Sequence, residues 1–329
     1  MKPTYSSEKI AILGAGAIGQ LVFHQLSRLT QGVALILRPD VTTSTHSSKS
    51  TKELEPELTF LPLSGEAEQH QARLIQADDK AALKELDLII VCVKAYQVQG
   101  ALTPLLAHLK TSCHLLLLHN GLGPHLELTP LLEGKGLHLG LNLGLSLGTT
   151  SQGAIKQAPW QVKQTGTGLT QLGHHAGTEM SASLKQLLLH AIPDSQWCSP
   201  ILPMLWQKLA VNIAINPLTA ILNSRNGELA KPQYRKLILA LLDEVVTVAK
   251  HEGIELEKAA LTERVFSVIK LTANNFSSMH QDIHHGRKTE IDAINGYLIK
   301  RAKSYGLSTP KNEEIVNKII VLESKATAD

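Results

Sequence analysis

Cysteine is scarce. Cys92, Cys113 and Cys198 are the only three in 329 residues. They are too few, too widely spaced and odd in number for a disulfide framework or a paired-cysteine metal site, which points to a reducing cytoplasm. An excess of one charge is also missing: 32 basic against 29 acidic residues leave a net charge of +3, with no footprint for nucleic acid. The 15 histidines are scattered. Long apolar runs are absent. No window approaches the roughly 18 apolar residues of a membrane span. The amino terminus leads into an apolar run of only Ile10–Leu13, shorter than the roughly 7–15 residues of a signal-peptide core. A soluble, unprocessed chain is therefore expected. No repeat of fixed period occurs, and the one biased tract is the Ser/Thr/Lys-rich stretch from Thr42 to Glu57, read as an exposed loop.

What the chain does have is core material. Hydrophobic residues make up 43% and charged residues 19%, which excludes general disorder, and the length suits two domains at about 150 residues each. In the first part, short apolar runs alternate with helical patterns. Lys9–Leu13, Val33–Leu37, Leu88–Val93 and His114–Leu118 read as strands; Ile18–Leu29 and Val98–Leu109 read as helices. Continuous apolar strands interleaved with helices indicate a parallel sheet covered on both faces. Frequent glycines from Gly134 to Gly173 suit a few further strands and turns. Beyond Cys198-Ser199-Pro200 the spacing turns helical, over Pro203–Ile215, Tyr234–His251, Leu256–Asn275, Glu290–Tyr305 and Glu313–Glu323, with Gly253 and Gly306 placed where helices stop.

The run Gly14-Ala15-Gly16-Ala17-Ile18-Gly19 is a GxGxxG between a strand and a helix. Gly14 permits the tight turn, Gly16 lets backbone approach a pyrophosphate, Gly19 lets helix and strand pack, and the helix amino terminus offers N–H groups to the phosphates. The fold class expected is therefore α/β: a Rossmann-type parallel-sheet domain over residues 1–197, followed by a mainly α-helical domain over 198–329. The second strand ends in Arg38, where an NAD-selective site would place a carboxylate. A guanidinium there offers a planar fork to a 2′-phosphate and favours NADP(H); the alternative is a solvated arginine at a strand end.

Lys208, Asn212 and Asn216 recur at i, i+4 and i+8 among apolar residues, so they line one helix face. Asparagine is a mediocre helix former. The row fits a cleft for a polar ligand, and it also fits a structural network or a helix ending at Asn216-Pro217. Lys94 at a strand end and Asn120 in a glycine-rich turn have equally plain alternatives, a solvated lysine and a turn-shaping asparagine. His280, Asp282, His284 and His285 crowd one segment but lack a metal-site arrangement, and no metal is expected.

Together, Trp206–Leu229 (WQKLAVNIAINPLTAILNSRNGEL) and Ser277–Gly296 (SSMHQDIHHGRKTEIDAING) resemble the ketopantoate reductase family. The GAGAIGQ turn, Val93-Lys94 and His119-Asn120-Gly121-Leu122-Gly123 stand in the expected order, so the resemblance spans nearly the whole chain. The Ser/Thr-rich stretch after Arg38 looks like an insertion. The resemblance implies NADPH-dependent reduction of 2-dehydropantoate to (R)-pantoate, on the way to pantothenate and coenzyme A, by a monomer or homodimer. It makes Lys208 the proton donor and assigns Asn212, Asn216, Asn226 and Ser278 to the substrate. Arg38, Lys94, Asn120 and Glu290 are assigned to the cofactor or to ordering the active site. A contact to the nicotinamide end falls near Thr149–Gly153 without a single residue standing out.

The chemistry is coherent on its own terms. A hydride arriving at the C2 carbonyl of a 2-oxo acid creates an alkoxide that a lysine ammonium can stabilise and protonate. An ordinary lysine pKa of about 10.4 keeps that group charged at neutral pH without tuning. Asparagine and serine orient the substrate without adding negative charge near an anion. Glu290 has two open roles, positioning Lys208 or the cofactor ribose. The competing readings are a related NADP-dependent 2-oxo acid or opine-type reductase, and a non-catalytic NADP(H) sensor.

Overall fold

Ile10–Leu13, Ala34–Leu37, Leu88–Val91 and His114–Leu117 are buried at all four positions each, as strands covered on both faces must be. The computed structural model describes residues 8–37, 55–132 and 143–326. Its elements begin β1 (Ile10–Leu13), α1 (Ala17–Ser27), β2 (Ala34–Leu37), β3 (Glu57–Leu61), β4 (Glu68–Gln71), β5 (Arg73–Gln76), α2 (Lys80–Lys84), β6 (Leu88–Val91), α3 (Val98–Leu106), β7 (His114–Leu117) and α4 (Pro124–Leu132). They continue with β8 (Gly144–Thr150), β9 (Gly153–Ala158), β10 (Gln161–Gly166), β11 (Thr170–Ala176), α5 (Ala182–Ala191) and β12 (Ser195–Trp197). Six α-helices close the described chain: α6 (Leu202–Ile221), α7 (Pro232–His251), α8 (Lys258–Leu271), α9 (Ser278–His284), α10 (Asn295–Ser304) and α11 (Pro310–Ala326). Within the described residues, those of Met1–His119 and Pro124–Ile201 form one compact unit, and those of Asn120–Gly123 and Leu202–Asp329 form another.

The large sheet of the first unit has the order β12-β11-β8-β7-β6-β1-β2-β5. From β5 to β8 every pairing is parallel, and only the β8–β11 pairing is antiparallel. Counted along the chain, the six parallel strands run 3-2-1-4-5-6, the doubly wound order, with its reversal between β1 and β6. Phe23 and Leu26 of α1 and Leu187 and Leu188 of α5 join Ile12, Leu35, Ile90 and Leu116 in the core. Each such side chain contributes about 1.5–3 kcal/mol by leaving water.

A second sheet, β4-β3-β10-β9, was not expected from the sequence. Its strands are largely polar and half exposed. It packs Phe60 and Val162 against Leu21 of α1, a burial too small to leave an apolar pattern.

In the helical unit α6 is central, packing against α7, α8, α9 and α11, with Trp206 edge-on to Tyr297 at 5.9 Å. Two expectations change here. Asn216-Pro217 does not end the helix, which runs on to Ile221 with Pro217 inside. Proline removes one ladder bond, but the Thr219 hydroxyl lies 3.0 Å from the carbonyls of both Ile215 and Asn216 and supports the helix around it. The helix expected over Glu290–Tyr305 is broken into a short turn (Ile291–Ala293) and α10. Leu122 N–H donates to the Ala293 carbonyl at 2.8 Å, and Ile294 leaves helical geometry at φ −103°, ψ −91°. Among the described residues no helix is long and apolar enough to cross a membrane.

Candidate functional site

In the first unit, the carboxyl ends of β1 and β6 flank the point where strand order reverses, the usual place for a ligand in such sheets. Gly14 follows β1 at φ +113°, a conformation that excludes other residues, and a Cβ on it would lie 2.8 Å from the Val93 amide nitrogen. A Cβ on Gly19 would lie 1.9 Å from the Gly14 carbonyl oxygen. Packing within the protein therefore dictates both glycines. Gly16 differs: it is exposed, and a Cβ there meets nothing within 4 Å. The protein leaves open the position where backbone would meet a pyrophosphate. Gly16 caps α1 without a side-chain hydrogen bond, and the first turn, Ala17, Ile18 and Gly19, holds no acidic residue, so nothing there repels an anion. The turn, with Ala15 in it, fits a dinucleotide.

Lys94 is half-buried three residues past the end of β6, and its backbone N–H donates to Gln97 Oε1 at 3.3 Å. Arg38 and the stretch from Thr42 to Leu54 lie outside the described residues. In the segment near Thr149–Gly153, Gln152 is taken up internally: its Oε1 accepts from Gln25 Nε2 at 2.7 Å, and its Nε2 donates to Thr170 Oγ1 at 3.2 Å.

In the second unit, α6 carries Lys208, Asn212 and Asn216 along one face. Lys208 is half-buried, and both asparagines are 9% exposed. Lys208 departs from the sequence expectation of an untuned ammonium. Burial pushes its pKa down to about 8, against a smaller upward pull from the negative charge of Glu290. Glu290 is itself buried and accepts a long hydrogen bond, 3.3 Å, from Asn120 Nδ2. Asn120 belongs to the helical unit, where the loop packs so closely that a Cβ on Gly121 would stand 2.4 Å from the Ala293 carbonyl oxygen.

Asn226 is buried and donates from Nδ2 to Thr272 Oγ1 at 2.9 Å; its Oδ1 is buried with no partner among the described residues. Ser278 is exposed at the first position of α9. Its neighbour Ser277, which sequence reasoning missed, caps α9. The Ser277 hydroxyl accepts from the His280 N–H at 3.1 Å, bonds the Thr219 hydroxyl at 2.8 Å and donates to the Asn216 carbonyl at 3.3 Å. It thereby pins the start of α9 to the asparagine row. A serine directly before the first helical residue was the available signal.

Two polar side chains of the histidine-rich segment have partners within the protein. His280 Nε2 lies 2.8 Å from Asn223 Oδ1 and its ring stacks on Phe276, while Asp282 pairs with Arg287 at 3.1 Å.

Two family models match the chain: Ketopantoate reductase PanE/ApbA over residues 10–177, and Ketopantoate reductase PanE/ApbA C terminal over residues 200–323. The chain is 38% identical over 315 residues to 2-dehydropantoate 2-reductase of Vibrio cholerae, covering 95% of this chain and 97% of that one. Among solved structures, a probable 2-dehydropantoate 2-reductase of Bacillus subtilis superposes with a TM-score of 0.75 at 27% identity, covering 95% of this chain and 99% of that one. A ternary structure of D-mandelate dehydrogenase with NADH and anilino(oxo)acetate reaches 0.80 at 26% identity, covering 97% and 99%.

Proposed function

The chain belongs to the ketopantoate reductase family, and from that premise we propose that it reduces 2-dehydropantoate to (R)-pantoate with NADPH, a step toward pantothenate and coenzyme A. The observation that carries this reading is the row on α6, a half-buried ammonium that burial lowers to about 8, in line with two buried amides and countered by the charge of Glu290.

When bound, NADPH supplies the hydride that reduces C2. The glycine turn Gly14–Gly19 would hold its pyrophosphate, with Arg38 assigned to the 2′-phosphate, and Lys94 and Asn120 to the cofactor. Lys208 Nζ gives a proton to the oxygen on C2 as negative charge develops there. A pKa of about 8 suits that transfer better than an ordinary lysine would, because the ammonium stays mostly protonated at neutral pH yet releases its proton more readily. Glu290 keeps the ammonium charged, and Asn120 steadies Glu290. Asn212, Asn216, Asn226 and Ser278 supply neutral donors and acceptors for the carboxylate and terminal hydroxyl. The unpartnered Asn226 Oδ1 supports its assignment to a ligand. We place the enzyme in the cytoplasm, consistent with its three unpaired cysteines.

A second reading, a reductase for another 2-oxo acid, draws on the likeness to D-mandelate dehydrogenase. The deciding assay is cofactor oxidation by purified protein with 2-dehydropantoate, run with NADPH, with NADH and against a panel of other 2-oxo acids. Fast turnover with NADPH and 2-dehydropantoate alone supports the proposal. Preference for another acid overturns the substrate, and NADPH binding with no turnover overturns the catalytic reading.

A further inference from the structure

Gln20, on the first turns of α1, is fully buried. Its side-chain amide donates to the Ala15 carbonyl at 3.0 Å and to the Pro159 carbonyl at 2.8 Å. Both partners are carbonyl oxygens, which can only accept, so the group facing them must be the NH2 and the amide has one orientation. The consequence is an Oε1 buried with no hydrogen-bond partner among the described residues. An orphaned buried acceptor is costly, and leucine or methionine at this position would avoid it. The amide is kept for its two donations.

Those donations act on the cofactor turn. Ala15 is its second residue, and the Ala15–Gly16 peptide is planar and trans. Holding the Ala15 carbonyl toward Gln20 therefore turns the Gly16 N–H to the opposite side. Gly16 is the position where backbone stands open, with nothing within 4 Å of a Cβ. The Gln20 main chain fixes the same point from the helix side, its N–H donating to the Gly16 carbonyl at 2.9 Å. The other anchor, Pro159, lies in the connection between β9 and β10. The small polar sheet thus gains a purpose: it holds the far end of the brace.

We infer that Gln20 is a positioning residue for the cofactor, bracing the Ala15–Gly16 peptide plane against the four-stranded sheet so that the turn meets the pyrophosphate without rearrangement. The inference rests on reading the turn as an NADPH site. A backbone already set in its binding geometry avoids an ordering cost on association.

The test uses full-length Gln20→Leu, with the Kd for NADPH measured by fluorescence titration. A competitor lacking the pyrophosphate, adenosine 2′-monophosphate, is measured in parallel. The expected result is a rise of about tenfold in the NADPH Kd and in KM for NADPH. The Kd for adenosine 2′-monophosphate and the KM for 2-dehydropantoate stay within about twofold. Gln20→Met, which also lacks the donor, gives the same reading if the leucine variant does not fold. An NADPH Kd that does not move, or equal weakening of both nucleotides, overturns the assignment. Wild-type protein that binds no NADPH overturns the cofactor reading itself, and this inference with it, before any variant is compared.

Discussion

The glycine turn of the first unit and the polar row of the second solve opposite problems. The turn works by having no side chains: Gly14 and Gly19 are excluded from being anything else by backbone 2.8 and 1.9 Å from where a Cβ would stand, and Gly16 is left open. The row works by having side chains where they are costly, an ammonium and two amides set among the apolar residues of α6. One site presents main-chain dipoles whose placement the fold fixes. The other stores charge and hydrogen-bonding capacity away from water, which shifts a pKa.

The comparison can be broken or sharpened by experiment. The largest effect is expected from Lys208→Ala, a loss of roughly 10²–10⁴ in kcat with the NADPH Kd retained, as for a missing acid–base group; a variant turning over like wild type would remove Lys208 from that role. Next come the two glycines. Gly19→Ala forces a Cβ against backbone and should lower stability by about 1–3 kcal/mol, read as a fall in Tm. Gly16→Ala should leave stability within about 0.5 kcal/mol and weaken NADPH alone. Equal behaviour of the pair would deny that one glycine serves the protein and the other the ligand. Arg38→Ala should cut the preference for NADPH over NADH about tenfold, the scale of a lost charged hydrogen bond; an unchanged ratio of kcat/KM would remove Arg38 from the 2′-phosphate. The smallest effect is in the pH profile. Reduction needs Lys208 protonated, so the rate should fall as pH rises through about 8. Glu290→Gln removes the charge that raises the Lys208 pKa, so the falling limb should move to lower pH by less than about one unit. A shift to higher pH would contradict the pairing.

Much of this was legible in the sequence, and for identifiable reasons. The strands β1, β2, β6 and β7 are apolar at nearly every position because both faces are covered, and the GxGxxG constraints are local enough to read from six residues. The row on α6 showed as a break in an apolar helix at i, i+4 and i+8. The small sheet was invisible because strands such as β4, Glu-Gln-His-Gln, bury so little. Pro217 was misleading because its support, the hydroxyl of Thr219, joined to Ser277 more than fifty residues later, is a tertiary matter. The lowered pKa of Lys208 was likewise out of reach, since desolvation depends on what surrounds a residue in space and not on its neighbours in the chain.

The four residues Asn120–Gly123 have a consequence for how such a protein can be rearranged over generations. They sit in the middle of the first unit's sequence yet pack as part of the second, where Gly121 leaves no room beside the Ala293 carbonyl and Asn120 holds Glu290. A single crossover near Leu202 would import a helical half without the tetrapeptide that completes it. Chimaeras between distant relatives should inherit a functional carboxy-terminal half only when Asn120–Gly123 travel with it, so the two halves are inherited as a matched set even though each is compact by itself.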